Sequence, residues 1–131
     1  FGIRNLSKEE MNFYNRNKKR IKIFWASKKE KWNISEIRKI FKNKNVYITF
    51  DVDGFDSSLM PATGTPEPGG MFWNDVMPIL KNVCLVSNVV GADINELAPI
   101  KKFNSCNFLT AKLAYKIISY VFESKLKYLG R

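Results

Sequence analysis

The apolar residues of this chain switch repeatedly between two periods, and that alternation restricts the fold more than any other feature. Val46-Tyr47-Ile48-Thr49-Phe50 is a short β-branched run with the length and composition of a buried strand. Leu85 to Asp93 and Ile21-Lys22-Ile23-Phe24-Trp25-Ala26 read the same way. Between these runs, Ile34, Ile37, Ile40 and Phe41 recur at helical spacing and predict a helix over about Ser35–Lys44. Ser7 with Glu10 forms a capping box, which predicts a helix over Lys8–Asn17. Two more helices are expected, over about Phe72–Lys81 and Asn107–Ser124. The last should turn Leu109, Leu113, Ala114, Ile117, Ile118 and Val121 inward. Strands alternating with helices imply an α/β fold, a parallel sheet flanked by helices.

With 131 residues the chain is long enough for one domain with a real core, and 45% hydrophobic content excludes a disordered tail. No apolar run approaches the roughly 20 residues that span a bilayer, and no secretory signal is visible. A net charge of +10 raises the question of an anionic partner. The basic residues, however, crowd into Lys18 to Lys44 and are mixed with Asn and Glu, which is the pattern of solvated helix faces and not of a nucleic-acid patch. Cys84 and Cys106 sit in no metal-knuckle or redox spacing, so free thiols in a reducing, cytoplasmic setting are expected, with an organelle also open. The sequence contains no histidine, and so lacks the usual general base and the commonest metal ligand.

Chemistry is concentrated where the strands end. In open parallel sheets ligands bind beyond the carboxyl ends of the strands. That rule points to Asp51-Val52-Asp53 and to Asp93-Ile94-Asn95-Glu96. In extended chain Asp51 and Asp53 would point to the same side. Two such carboxylates repel unless a cation lies between them, and oxygen ligands suit Mg or Mn. The plainer alternative is a polar loop start in which Asp53 or Asp56 caps turn amides. A long Pro- and Gly-rich loop follows, from Val52 to Gly70, and loops of that length in compact domains are usually functional.

Phe50-Asp51-Val52-Asp53-Gly54-Phe55-Asp56 runs on into Pro61-Ala62-Thr63-Gly64-Thr65-Pro66-Glu67-Pro68-Gly69-Gly70. In these segments the sequence resembles the ureohydrolase family, which includes agmatinase and arginase. Phe1-Gly2-Ile3-Arg4 with Ser7 and Glu10, Gly91 to Pro99, and Asn107 to Lys116 resemble further stretches of the same family, so the likeness covers nearly the whole chain. Glu67-Pro68-Gly69-Gly70 followed by Trp73 is closer to the agmatinase branch than to classical arginase. The resemblance implies an arginase-like three-layer α/β/α fold, with residues 1–131 as the C-terminal portion of a single ureohydrolase domain, incomplete at its N-terminal side. It implies manganese-dependent hydrolysis of a guanidino compound, agmatine first, to urea and an amine, as in polyamine metabolism. Two Mn ions bridged by hydroxide are the family's cofactor. Asp51 would bridge both ions, Asp53 would hold one, and Thr65 and Glu96 would contact the substrate guanidinium. A homo-oligomer is expected of the complete enzyme.

The departures are as informative. The family's remaining metal ligands and its acid/base histidine belong to motifs that precede the Gly-Ile-Arg strand and have no counterpart here, so no catalytic acid or base is assigned within this chain. Ser57 stands where the family usually has Pro. The chain alone is therefore expected to be inactive. Agmatine, guanidinobutyrate, arginine and formiminoglutamate present similar head groups, and the sequence does not choose among them. Two other readings are carried forward. One is a non-catalytic fragment or pseudoenzyme acting as a basic interaction module, with an open sheet edge. The other is a haloacid-dehalogenase-like phosphatase, whose nucleophile motif Phe50–Gly54 also resembles, although Phe55 replaces its usual Thr and the Pro–Gly loop has no place in it.

Overall fold

A computed structural model describes the backbone of residues 1–129 and the side chains as far as Leu126. The elements follow one another as helix α1 (Lys8–Asn17), helix α2 (Ile34–Phe41), strand β1 (Asn45–Asp51), helix α3 (Trp73–Val86), strand β2 (Asn88–Asn95) and helix α4 (Ser105–Leu129). The α1 boundaries are those read from the capping box. Ser7 Oγ accepts from the Glu10 amide, and the Glu10 carboxylate accepts from the Ser7 amide.

β1 and β2 pair in parallel, from Asn45 opposite Asn88 to Asp51 opposite Asn95. A bulge after Val46 leaves Val90 as the extra residue. The parallel sheet flanked by helices is therefore present, with two differences from expectation. Ile21–Ala26 is not a strand of this sheet. Only Trp25 makes a bridge, in parallel with Ile3, and Ala26–Lys31 then coils into a 3-10 turn. A β-branched run becomes a strand only if a ladder partner reaches it, and here the short segment Phe1–Ile3 supplies two bonds, Gly2 N to Phe24 O at 2.9 Å and Ala26 N to Ile3 O at 3.0 Å. The second difference is that Leu85 and Val86 end α3, so β2 begins only at Asn88. A short apolar run fits a buried helix as well as a strand, and Val83 and Cys84 face the core as part of the helix.

The side chains of β1 alternate. Val46, Ile48 and Phe50 turn inward, while Tyr47, Thr49 and Asp51 are exposed. The inward set joins a core built from Val76, Leu80 and Cys84 of α3 and Cys106, Leu113 and Ile117 of α4, closed by Val52, Phe55, Met60 and Met71 from the connecting loop. Phe24, Ile37, Ile79 and Val83 form a second cluster between α2 and α3. Both cysteines are free and buried, and burial pushes the Cys84 thiol up to about 11. Ile118, expected on the inner face of α4, is instead exposed. The helix presents an outward stripe of Phe108, Tyr115, Ile118, Phe122 and Leu126 beside its core-facing Leu113 and Ile117. No described helix is long and apolar enough to cross a membrane.

This division of α4 predicts unequal costs of truncation. Leu113→Ala should destabilise the chain by about 2–5 kcal/mol, while Ile118→Ala should cost less than about 0.5 kcal/mol. Urea-unfolding midpoints of the two variants check the assignment, and equal losses would contradict it.

Candidate active site

Because β1 and β2 are parallel and in register to their ends, both acidic segments leave the sheet at the same edge. β1 finishes at Asp51 and β2 at Asn95, followed directly by Glu96. Asp51 and Asp53 do not lie along one extended strand as the spacing suggested. The chain turns at Val52–Gly54 into a single 3-10 turn, and the Asp51 carboxylate caps it by accepting from the Asp53 amide at 3.1 Å. The turn keeps the two carboxylates together by a different geometry. Partial desolvation pushes the Asp51 carboxyl above the ordinary aspartate range, opposed by that amide and reinforced by the charges of Asp53 and Glu96. Asp51, Asp53 and Glu96 thus feel one another as like charges in one cluster.

The long loop folds back over this cluster. Thr65 Oγ1 donates to Asp53 Oδ2 at 2.5 Å. Gly64 lies beside Glu96, where an added Cβ would make ordinary contact with its carboxylate at 3.7 Å. Thr63 forms an antiparallel bridge with Leu97, its hydroxyl donates to the Glu96 carbonyl at 3.0 Å, and Ala98 N bonds to Ala62 O at 2.9 Å. Glu96, beside these contacts, stands at φ +67°, in the left-handed region that is uncommon for a non-glycine residue. Glu96 takes part in none of the ion pairs among the described residues, so its carboxylate is not used as a strand-end salt bridge.

Asp56, a candidate turn cap from the sequence, and Arg4 and Lys29, which the sequence did not single out for a role, hold the loop in place. Asp56 is buried, and its carboxylate accepts from Ser58 N at 3.0 Å, Ser58 Oγ at 2.5 Å, Gly69 N at 2.7 Å and Gly70 N at 3.2 Å. It ties the start of the loop to its end. Arg4 donates to the carbonyls of Phe55 (3.1 Å), Glu67 (3.3 Å) and Asp53 (2.5 Å), and pairs with the Glu67 carboxylate at 3.4 Å. Lys29 donates to Gly70 O at 3.1 Å and to Asp75 at 3.0 Å, with its ammonium 4.8 Å from the Phe72 ring centroid. Gly70 is required where these meet. A Cβ there would lie 2.4 Å from the Arg4 guanidinium and 2.5 Å from the Asp56 amide. Only the Asp56 role had a local signal, as a turn-capping aspartate. The partners of Arg4 lie 49 to 63 residues away, beyond any local pattern.

Below the site, Asp93 accepts from Thr49 Oγ1 at 2.6 Å and from Asn95 Nδ2 at 2.5 Å. The hydroxyls of Thr49 and Tyr47 and the Asn95 amide hold the Asp93 carboxyl below the usual aspartate range. Asp93 is thereby committed to the exposed face of the sheet. As a cation site the cluster is incomplete. Asp51 and Asp53 are hard oxygen donors whose mutual repulsion a cation would relieve, but no group of three acidic or sulfur side chains among the described residues is arranged to hold a metal ion.

Comparison with known proteins places this arrangement in context. The model of the arginase family matches residues 1–122. The chain is 38% identical over 128 residues to the N(1)-aminopropylagmatine ureohydrolase of Synechocystis, covering 95% of this chain and 41% of that protein. It is 32% identical over 120 residues to the agmatinase of Pyrococcus horikoshii, covering 90% and 41%. The agmatine ureohydrolase of Thermoplasma volcanium superposes with a TM-score of 0.78 at 31% identity, covering 96% of this chain and 42% of that one. The chain thus spans about two fifths of the length of the relatives it matches. The match runs through the Pro–Gly loop, the segment for which a haloacid-dehalogenase-like reading has no use.

The Asp56 contacts predict an acid-sensitive loop. Hydrogen bonds from Ser58 and from the Gly69 and Gly70 amides lower its carboxyl to about 2, against 3.8 for a free aspartate. A depressed carboxyl stabilises the fold fully above the free value, and that contribution disappears as pH falls from about 4 to about 2. Asp56→Asn should therefore lower the urea midpoint at pH 7, and the gap between variant and parent should narrow below pH 4. A gap independent of pH would show that the carboxylate charge plays no part.

Proposed function

Because the chain belongs to the arginase family, we propose that it is the carboxylate-bearing part of an enzyme that hydrolyses a guanidino compound of the agmatine type to urea and an amine. The observation that carries this reading is the gathering of Asp51, Asp53, Thr65 and Glu96 at one sheet end in a chain of that family. In this reading Asp51 and Asp53 would contribute carboxylate oxygens to hold manganese. When bound, the ions supply Lewis acidity and lower the pKa of water at the site.

The chain's own residues bind and orient the substrate. A guanidinium is planar and cationic, and the Glu96 carboxylate pairs with it through parallel charge-assisted hydrogen bonds. The constrained backbone of Glu96 fixes where that carboxylate is offered, which limits the orientations a bound substrate adopts. Thr65, already bonded to Asp53, stands between the acidic pair and the substrate and orients both. In the net reaction water adds to the guanidinium carbon, the bond to the alkyl-bearing nitrogen breaks, and the amine leaves with a proton. No group within residues 1–131 is assigned as the proton shuttle. The names of the relatives favour agmatine and N(1)-aminopropylagmatine over arginine as substrates. The aminopropyl extension was not among the candidates drawn from sequence.

Alone, the chain offers two carboxylates toward a cage that needs several fixed ligands. Correct positioning is worth on the order of 7–11 kcal/mol of barrier, so loosely held metal should leave almost no turnover. Urea release from agmatine with saturating Mn should be undetectable for the isolated chain. It should appear when these residues replace the matching segment of the Synechocystis relative, and Asp51→Asn should then abolish it. Robust turnover by the isolated chain, abolished by Asp51→Asn, would refute the incompleteness. A folded hybrid that released urea from no guanidino compound would refute the activity.

A further inference from the structure

The reaction proposed above gives no part to one acidic side chain beside the site. Glu67 lies two residues beyond Thr65 on the long loop, and it lines the same cavity of about 730 Å³ as Asp51, Asp53 and Thr65. Its backbone is what fastens this part of the loop. The Glu67 carbonyl accepts from Arg4 at 3.3 Å and from the Ser57 amide at 3.2 Å. The carboxylate is steadied from one side, by Asn5 Nδ2 at 2.5 Å from Oε1 and by Arg4 Nε at 3.4 Å from Oε2. Arg4 commits its terminal nitrogens to the carbonyls of Asp53, Phe55 and Glu67 and is 13% exposed, while the Glu67 side chain stays 42% exposed. An ionised carboxylate has about four acceptor positions, so these contacts leave Glu67 oriented and still able to accept.

Among the described charged residues that line the cavity, Glu10, Asp51, Asp53 and Glu67 are acidic and Arg4 alone is basic. Such a wall attracts cations and repels carboxylates. Asp51 and Asp53 are taken up by manganese in the proposed reading, and Glu10 accepts from the Ser7 amide in the capping box of α1. Glu67 is the carboxylate left over. Two residues of chain span at most about 7 Å, so a cation a few carbons away from a guanidinium at Thr65 comes within reach of it. Resting on that reading of the site, we infer that Glu67 reads the far end of the substrate. It accepts charge-assisted hydrogen bonds from an ammonium at the end of an alkylguanidine. Guanidino compounds that end in a carboxylate meet repulsion there, which separates agmatine-type substrates from guanidinobutyrate. The contact is remote from the carbon that is attacked, so it contributes to binding and not to the chemical step.

The test uses the manganese-loaded hybrid with the Synechocystis relative and compares agmatine with n-butylguanidine. The two share a head group and a four-carbon chain, and butylguanidine lacks the ammonium. It is followed as a substrate or as a competitive inhibitor. The hybrid should prefer agmatine, and no preference would overturn the inference whatever the variants do. Glu67→Gln should raise KM for agmatine by on the order of tenfold, with kcat within about twofold. KM or Ki for butylguanidine should not move, and Glu67→Asp should keep most of the preference. If Glu67 merely clamps the loop through Arg4 and Asn5, Glu67→Gln will weaken both compounds alike or lower kcat for both, and the inference fails. It fails equally if a folded Glu67→Gln hybrid binds agmatine as the parent does. A parent hybrid that cleaves agmatine while the Glu67 variants change nothing leaves the proposed activity standing and removes this inference alone. A folded parent hybrid that cleaves no guanidino compound removes both.

Discussion

The geometry of the site depends on the in-register parallel pairing of β1 with β2. Parallel strands deliver their carboxyl ends to the same edge of a sheet, so two acidic segments more than 40 residues apart in sequence leave side by side. An antiparallel pairing of the same two runs would send Asp51 and Glu96 to opposite ends. The register is held by the inward set Val46, Ile48 and Phe50, since a slip of one residue would expose them and bury Tyr47, Thr49 and Asp51. On the outer face, the hydrogen-bonded group of Thr49, Asp93 and Asn95 fits the same register, with Thr49 opposite Asp93.

Like charges gathered in this way would spread apart if the loop over them were free. Asp56, Arg4 and Lys29 prevent that, each through backbone groups of the loop and its flanks and not through the site carboxylates. The division of labour is physically sensible. Asp56 satisfies its charge with three backbone amides and the Ser58 hydroxyl, so it is fully used and unavailable to a ligand. Asp51 gives one oxygen to the Asp53 amide, Asp53 gives one to Thr65, and Glu96 keeps its carboxylate out of every ion pair among the described residues. At this end of the sheet, unused acceptor capacity therefore lies in these three carboxylates.

What the sequence disclosed follows the range of the interaction involved. The α1 boundaries were legible because a capping box is complete within four residues. The closeness of Asp51 and Asp53 was legible too, but its cause was misjudged, since a turn capped by Asp51 replaces the extended geometry assumed for the pair. Ile21–Ala26 was misread because strand character depends on a partner, and that partner is only the short Phe1–Ile3 segment. The junction of α3 with β2 was misplaced because Leu85 and Val86 suit either element equally. Arg4 and Lys29 were invisible as loop clamps because each acts on residues more than 40 positions away.

Ile118 marks where periodicity stops being informative. Its spacing is as compatible with the inner face of α4 as that of Ile117, yet Ile117 is 4% exposed and Ile118 55%. Hydropathy alone could not separate them because the whole stripe from Phe108 to Leu126 is apolar. A helix apolar on two sides is built for two neighbours, and α3 is one of them. β1 shows the same property in its backbone, with a ladder on one edge only among the described residues. Both features belong to elements that the core already fixes, β1 through Ile48 and Phe50 and α4 through Leu113 and Ile117.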